Sequence, residues 1–347
     1  MAYTTINKST DYFEGKTYLG SSSAVTVSGL SFQPDWVWIK DRDNGNNHCL
    51  VDAVRGVGKY VQSDNNTAEI NNSSQSISAI TSDGFTTGTA NPANESASTT
   101  KGFISWNWKG ANGTASNSDG TITSTVSANT TAGFSIVKFT TPSSGTSTVG
   151  HGLGAVPKVW LHKQLDGTDN WQMYHHSIGN TKKLMLNSTG AEGTSAIWQD
   201  TTPTSSLMYL GTAGSTVVAS SDYIAYCFAE IPGYSKFGSF LGNGNTDGAF
   251  IYTGFKPAFF LMKEVTDSST NWLMYDNKRS TFNPVDEVLY PNLNNSEGTG
   301  LDFDFLSNGL KCRTNNGGVN GNSNNYIYMC FASAPLVGTN NIPCTAR

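Results

Sequence analysis

Charge is scarce in this chain. Asp, Glu, Lys and Arg make up 14% of its 347 residues, and 21 basic against 26 acidic side chains leave a formal net charge of −5. Such a surface lacks the clustered Lys and Arg that neutralise phosphates, so nucleic acid is not an expected partner. A polybasic membrane patch is absent for the same reason. No run approaches the roughly 20 apolar residues of a membrane-crossing helix, and membrane insertion is not expected. Met1-Ala2-Tyr3-Thr4-Thr5-Ile6-Asn7-Lys8 has neither the basic start nor the apolar core of a secretory leader. The five cysteines, Cys49, Cys227, Cys312, Cys330 and Cys344, are odd in number and show no CxxC spacing. A disulfide framework is therefore not expected. Long runs with apolar residues at i, i+3, i+4 and i+7 are missing too, which argues against a helical fold.

What the chain does have is one pattern written three times. A proline-led aromatic strand reads Pro34-Asp35-Trp36-Val37-Trp38-Ile39-Lys40, then Pro157-Lys158-Val159-Trp160-Leu161-His162-Lys163, then Pro257-Ala258-Phe259-Phe260-Leu261-Met262-Lys263. Each is followed by a polar loop and a second strand, at 48–52, 171–175 and 272–276. Each copy ends in a closing strand, at 103–108, 223–228 and 326–331. From the proline to the first aromatic of the closing strand the separations are 103−34 = 69, 223−157 = 66 and 326−257 = 69 residues. A lead strand is expected before each proline, at 16–19, 134–139 and 249–252. Repetition at fixed spacing identifies a serial array of one structural unit.

Short apolar or alternating runs, punctuated by Gly, Asn, Asp and Ser, predict an all-β fold. The expected architecture is three tandem β-sandwich modules of jelly-roll type, over 1–112, 113–232 and 233–347, the last including a C-terminal arm. The Ser/Thr/Asn/Gly-rich stretch Ala111–Thr131 reads as the first joint, and Ile231-Pro232-Gly233-Tyr234 as a short second one. The loops containing Asn44-Gly45 and Asp166-Gly167, and the turns Ser82-Asp83-Gly84 and Ser307-Asn308-Gly309, suggest hairpins whose glycines supply positive φ. Trp38, and at the matching places Trp160 and Phe260, are expected in the interior. Cys227 and Cys330 recur at one strand position, where the first copy has Asn107, and read as small buried hydrophobes.

Catalytic motifs are hard to find. Asp41, Asp43, Asn44 and Gly45 resemble a calcium loop, but the glycine sits one place early and the flanks are strands, so a plain hairpin loop is the better reading. His175-His176, near His162 and His151, is replaced by Asp52-Ala53 and Asp276-Asn277 in the other copies, as polar strand ends would be. Gly150-His151-Gly152-Leu153-Gly154 is glycine-rich, but no helix follows it to cradle a phosphate. Asp302 with Asp304, and Asp286 with Glu287, are carboxylate pairs of the type glycosidases use. Neither pair recurs in the other copies. No catalytic residue, cofactor site or metal site is assigned. Most of the 8 tryptophans and 14 tyrosines should fill the core. Tyr60, Trp198, Tyr209 and Tyr290 lie in less regular segments and are candidates for stacking on sugar rings.

The chain resembles proteins of marine tailed phages, tail fibres and other virion appendages built of repeated aromatic β-modules. The likeness rests on Met1–Ile6, on Phe32–Lys40 followed by Asp52-Ala53-Val54-Arg55-Gly56, and on Ser82-Asp83-Gly84-Phe85. It continues through Trp106-Asn107-Trp108-Lys109, Ser124–Asn129, Gly133–Val137 and Val149–Gly154. The resemblance implies a non-enzymatic virion protein, assembled in the host cytoplasm and released by lysis. It implies contact with other virion proteins and with host-surface glycan, and a homotrimer by analogy. Capsid decoration or a purely structural tail role is the alternative, and a polysaccharide depolymerase is a second.

Overall fold

Three four-stranded antiparallel arrays dominate the computed structural model, which describes residues 4–95, 102–212, 217–338 and 340. Each array has the same strand order: lead, closing, aromatic, second. In the first, Phe13–Leu19 pairs with Gly102–Trp108, which pairs with Trp36–Asp41, and Cys49–Asp52 forms the far edge. The second array uses Phe134–Thr140, Asp222–Phe228, Val159–Gln164 and Gln172–His175 in those roles. The third uses Ser235–Leu241, Asn325–Pro335, Phe255–Glu264 and Leu273–Asp276; the segment expected as its lead strand, 249–252, instead pairs with Gly309–Cys312 in a separate small sheet. The chain is thus nearly all β. Its helical elements among the described residues are one short α-turn, Gly317–Asn320, and two 3-10 turns. None of these is long and apolar enough to cross a membrane.

The segment expected as the first joint is itself sheet. Ala115–Asn117 and Ser124–Asn129 pair in turn onto Phe134–Thr140 and extend the second array to six strands, and Lys182–Met185 and Gly193–Thr194 on the opposite edge bring it to eight. Its Ser and Thr hide this because only Ser124, Val126 and Ser127 of the inner strand are buried.

Alternation along each strand sends side chains to two buried faces. On the outer face, each array covers a small sheet of its own. Val37, Ile39, Cys49 and Val51 pack with Val27, Ile77 and Phe85. Trp160, Tyr174 and Cys227 pack with Val149, Met208 and Leu210. Phe260, Tyr275 and Cys330 pack with Ile251, Phe303 and Leu310. The inner faces of all three arrays meet in one core, containing Trp36, Trp38 and Trp108, Leu161, Tyr226 and Phe228, and Phe259, Leu261 and Phe331. Phe331 is its hub: its ring centroid lies 5.3 Å from Phe13, 5.7 Å from Trp108 and 5.8 Å from Phe228. Trp108, Phe228 and Phe331 hold the same place in their closing strands, so matching positions converge on a pseudo-threefold axis.

This register corrects one expectation. Trp36, Val159 and Phe259 pair with Asp52, His175 and Asp276 respectively. The counterparts of Trp38 are therefore Leu161 and Leu261, on the inner face. Trp160 and Phe260 match Val37, on the outer face. All are buried, but a shift of one residue exchanges the two cores.

Hydrogen bonds close the three repeats into a ring. The backbone N–H of Glu69 donates to Leu165 O, that of Glu192 to Val265 O, and that of Glu297 to Arg42 O, each at 2.7 Å. The acceptors hold one equivalent position, two residues beyond the lysine of each aromatic strand. A second set runs the other way round. Trp171 Nε1 donates to Gln62 O at 2.7 Å and Trp272 Nε1 to Met185 O at 3.0 Å, while His48 Nε2 lies 3.0 Å from Tyr290 O.

The turn glycines act by lacking a side chain rather than by positive φ. Gly84 and Gly309 each begin the returning strand of a hairpin. A Cβ there would lie 1.9 Å from Val27 O and 2.2 Å from Ile251 O. Gly45 and Gly167 do not adopt positive φ either. Gly45 is exposed and Asn44 half-buried, as a surface loop requires. Cys49, Cys227, Cys312 and Cys330 are buried free thiols. Cys344 and most of the expected C-terminal arm lie outside the described residues.

Candidate functional site

The loop after each aromatic strand is built around a buried lysine. Lys40 Nζ donates to Asp41 O at 2.7 Å and to Asn44 O at 3.2 Å. Lys163 Nζ donates to Gln164 O at 2.7 Å and to Gly167 O at 3.2 Å. Lys263 Nζ donates to Glu264 O, to Asp267 O at 3.4 Å and to Thr270 Oγ1 at 2.9 Å. Burial pushes all three ammonium groups down to about 8. The calcium-like loop thus turns its carbonyl oxygens onto an ammonium group of its own chain. Asp41 Oδ1 meanwhile accepts the backbone N–H groups of Asp43 and Asn44, at 2.8 and 3.0 Å. The result is a stiff loop whose buried polar groups are paired.

Two polar hollows lie beside these loops, at corresponding places in the first and third repeats. One, of about 180 Å³, is lined by Asn46, Asn47, Tyr60, Gln62, Gln75, Asn91 and Pro92. The other, of about 220 Å³, is lined by residues that include Thr270, Asn271, Tyr290 and Asn316. Asn47 and Asn271 immediately precede His48 and Trp272, the residues that bind the neighbouring repeat. Neither hollow is lined by Asp, Glu, Lys or Arg. Amide and hydroxyl groups offer both donors and acceptors, the chemistry that recognises a neutral polyhydroxyl ligand. In the first hollow, Tyr60 donates its hydroxyl to Gln75 Oε1 at 3.1 Å. Asn91 Oδ1 is buried beside this hollow without a hydrogen-bond partner.

The four aromatic candidates fare differently. Tyr60 and Tyr290 line the two hollows. Tyr60 is nevertheless a core residue at 2% exposure, so it offers an edge rather than a ring face. Trp198 is fully buried. It stands edge-on to Trp160, with centroids 4.9 Å apart, and donates to Lys182 O at 2.8 Å. It presents no face to a sugar. Tyr209 is half-buried in the Leu207–Leu210 strand and lines neither hollow. The burial of Tyr60 and Trp198 is not legible in the sequence, because a two-residue strand and a 3-10 turn carry no periodicity. The amides Asn46, Asn47, Gln62, Gln75 and Asn91 carry no sequence signal, because an Asn-rich loop looks the same with or without a hollow beside it.

The other candidates have structural partners. His175 Nε2 lies 3.1 Å from Tyr328 O and His176 Nε2 3.0 Å from Phe237 O, both across to the third repeat. Burial pushes His175 down to about 3. His151 Nε2 lies 3.2 Å from Thr204 O. Among the described residues no group of three or more His, Cys, Asp and Glu side chains is placed to hold a metal. Asp304 takes Arg313 at 2.5 Å, and Glu287 lies 3.3 Å from Arg42. Burial, with Asp286 and Asp304 nearby, raises Asp302 above the usual carboxylate range. Neither carboxylate pair lines the two amide hollows.

No curated protein and no solved structure matches the chain. A sequence family described as a domain of unknown function, DUF7483, matches residues 8–335. That span runs from before the first lead strand to the end of the last closing strand, and the chain belongs to this family.

Proposed function

We propose that the protein is a non-enzymatic structural component of a tailed-phage virion. It is built of three tandem β-sandwich modules of jelly-roll type and sits on the tail, where loops at one end of the modules contact glycan on the host surface. The observation that carries this reading is one strand order repeated three times around a single aromatic core. A body fixed in that way presents its loops in a set geometry, as a binding appendage must. The two uncharged amide hollows support neutral glycan as the ligand. In seawater, where salt screens charge over a few ångströms, uncharged contacts keep their strength.

The resemblance implies a homotrimer. Here three repeats already share one core, which supports a single chain as the threefold unit. Sedimentation should then show a 37.1 kDa particle. A glycan array and a cell-adsorption assay on the purified protein test the host-contact reading. Binding in both is expected, and blanks in both would overturn it.

The second reading is a capsid decoration or a spacer within the tail. The ring of inter-repeat hydrogen bonds favours it, since a rigid body suits a spacer as well as a binder.

A further inference from the structure

The three junctions between repeats pair their glutamates unequally. Glu297 receives two arginines: Arg279 at 2.8 Å, and Arg42 at 3.0 Å through Nε and 2.8 Å through Nη2. Glu69 receives one, Arg55, at 3.2 Å. At the junction of the second and third repeats, Ile178 stands where Arg55 and Arg279 stand, three residues after His175, Asp52 and Asp276 respectively. Val265 stands where Arg42 stands. Glu192 keeps the backbone bond of the junction, donating to Val265 O at 2.7 Å. Its ion pair among the described residues is with Lys182, at 3.4 Å and partly exposed.

The missing guanidinium groups leave a cavity of about 220 Å³. Ile178, Val265 and Ile327 form its apolar lining, Glu192 its charged wall, and Ser239 and Asn325 its exposed rim. We infer that this cavity binds the arginine side chain of a second polypeptide, with its stem over the apolar lining and its guanidinium on Glu192. A planar fork matches a carboxylate in two hydrogen bonds, which a compact ammonium does not. The chain itself shows this fork at one other junction, Arg42 on Glu297, and a single arginine contact, Arg55 on Glu69, at the remaining one. The exposed Lys182 contact is of the weak surface kind and yields to a better-matched cation.

The test follows the methyl resonances of Ile178 and Val265 while the full-length protein is titrated with N-acetyl-arginine methylamide or N-acetyl-lysine methylamide. The arginine probe should shift both methyls saturably and bind roughly tenfold tighter than the lysine probe, the difference of one charge-assisted hydrogen bond. Glu192→Gln should abolish the shift. Ile178→Arg should fill the cavity, block the probe and raise the melting temperature. Unmoved methyls, equal binding of both probes, or binding that survives Glu192→Gln would each overturn the inference. If Ile178→Arg does not fold, the Glu192→Gln titration decides alone.

Discussion

The indole N–H of Trp106 donates to Oδ2 of Asp276 at 3.1 Å, tying the closing strand of the first repeat to the second strand of the third. The same bond recurs one junction on, where the Tyr226 hydroxyl donates to Oδ2 of Asp52 at 2.8 Å. At the remaining junction Met329 supplies no donor, and the carboxylate is replaced by His175, which reaches Tyr328 O instead. Donor and acceptor are exchanged together, so a polar contact is kept at this place in all three junctions.

Asp276 also holds the buried Arg279, with Nε at 2.6 Å. Asp276→Ala would leave that buried guanidinium with Glu297 and the Met274 carbonyl as its remaining partners and should cost about 3 kcal/mol. Asp304→Ala, which frees the largely exposed Arg313, should cost under about 1 kcal/mol. Urea denaturation of the two variants measures the difference.

Acid should destabilise the protein in two stages. Burial lowers His48 and His175 to about 3. Their folded forms stay neutral where the unfolded chain takes up protons, so stability falls as pH drops below about 6.5, by roughly 1.4 kcal/mol per pH unit per histidine. Burial alone would raise Asp276, but the charge and hydrogen bonds of Arg279 outweigh it and hold the carboxyl low. Its contribution is present above the unfolded value of about 4 and is lost as pH falls through the lower folded value. Melting curves between about pH 7.5 and 2 should show both stages. His175→Gln should flatten the first.

Trp38→Ala should cost about 3–5 kcal/mol, because it empties a large site in the shared core. It also removes the partner of His48 Nδ1, 2.8 Å away. Unfolding should remain a single transition in every probe, because the inner faces belong to one core. Separate transitions for the repeats would contradict that packing.

Much of this organisation is legible in the sequence. Pro34, Pro157 and Pro257 mark the aromatic strands, and the spacing to Phe103, Tyr223 and Tyr326 locates the closing strands. What is not legible is how the repeats meet. Glu69, Glu192 and Glu297 share no motif, because it is their backbone N–H groups that make the common contact, and any residue can supply those. The one-residue offset between Trp38 and Trp160 is hidden for a related reason. With both faces buried, these strands lack the in–out contrast that usually fixes register.

Gly84→Ala should cost roughly 1–3 kcal/mol, since the added methyl meets Val27 O and the strand must shift. Gly113→Ala, with no atom within 4 Å of the added carbon, should be close to neutral. Thermal melts of the pair check whether close approach, rather than backbone freedom, selects glycine at the hairpin.

If the amide hollows bind glycan, Asn91→Ala and Asn271→Ala should each weaken retention on a positive glycan by about tenfold, the loss of one or two hydrogen bonds. Their circular dichroism spectra should be unchanged. Tyr209→Ala, which touches neither hollow, should bind normally.

The central claim is a tail-associated role at the host surface. Electron microscopy of intact virions labelled with an antibody against this chain tests it most directly. The account predicts label at the distal end of the tail. Label confined to the capsid shell or the tail neck would contradict it.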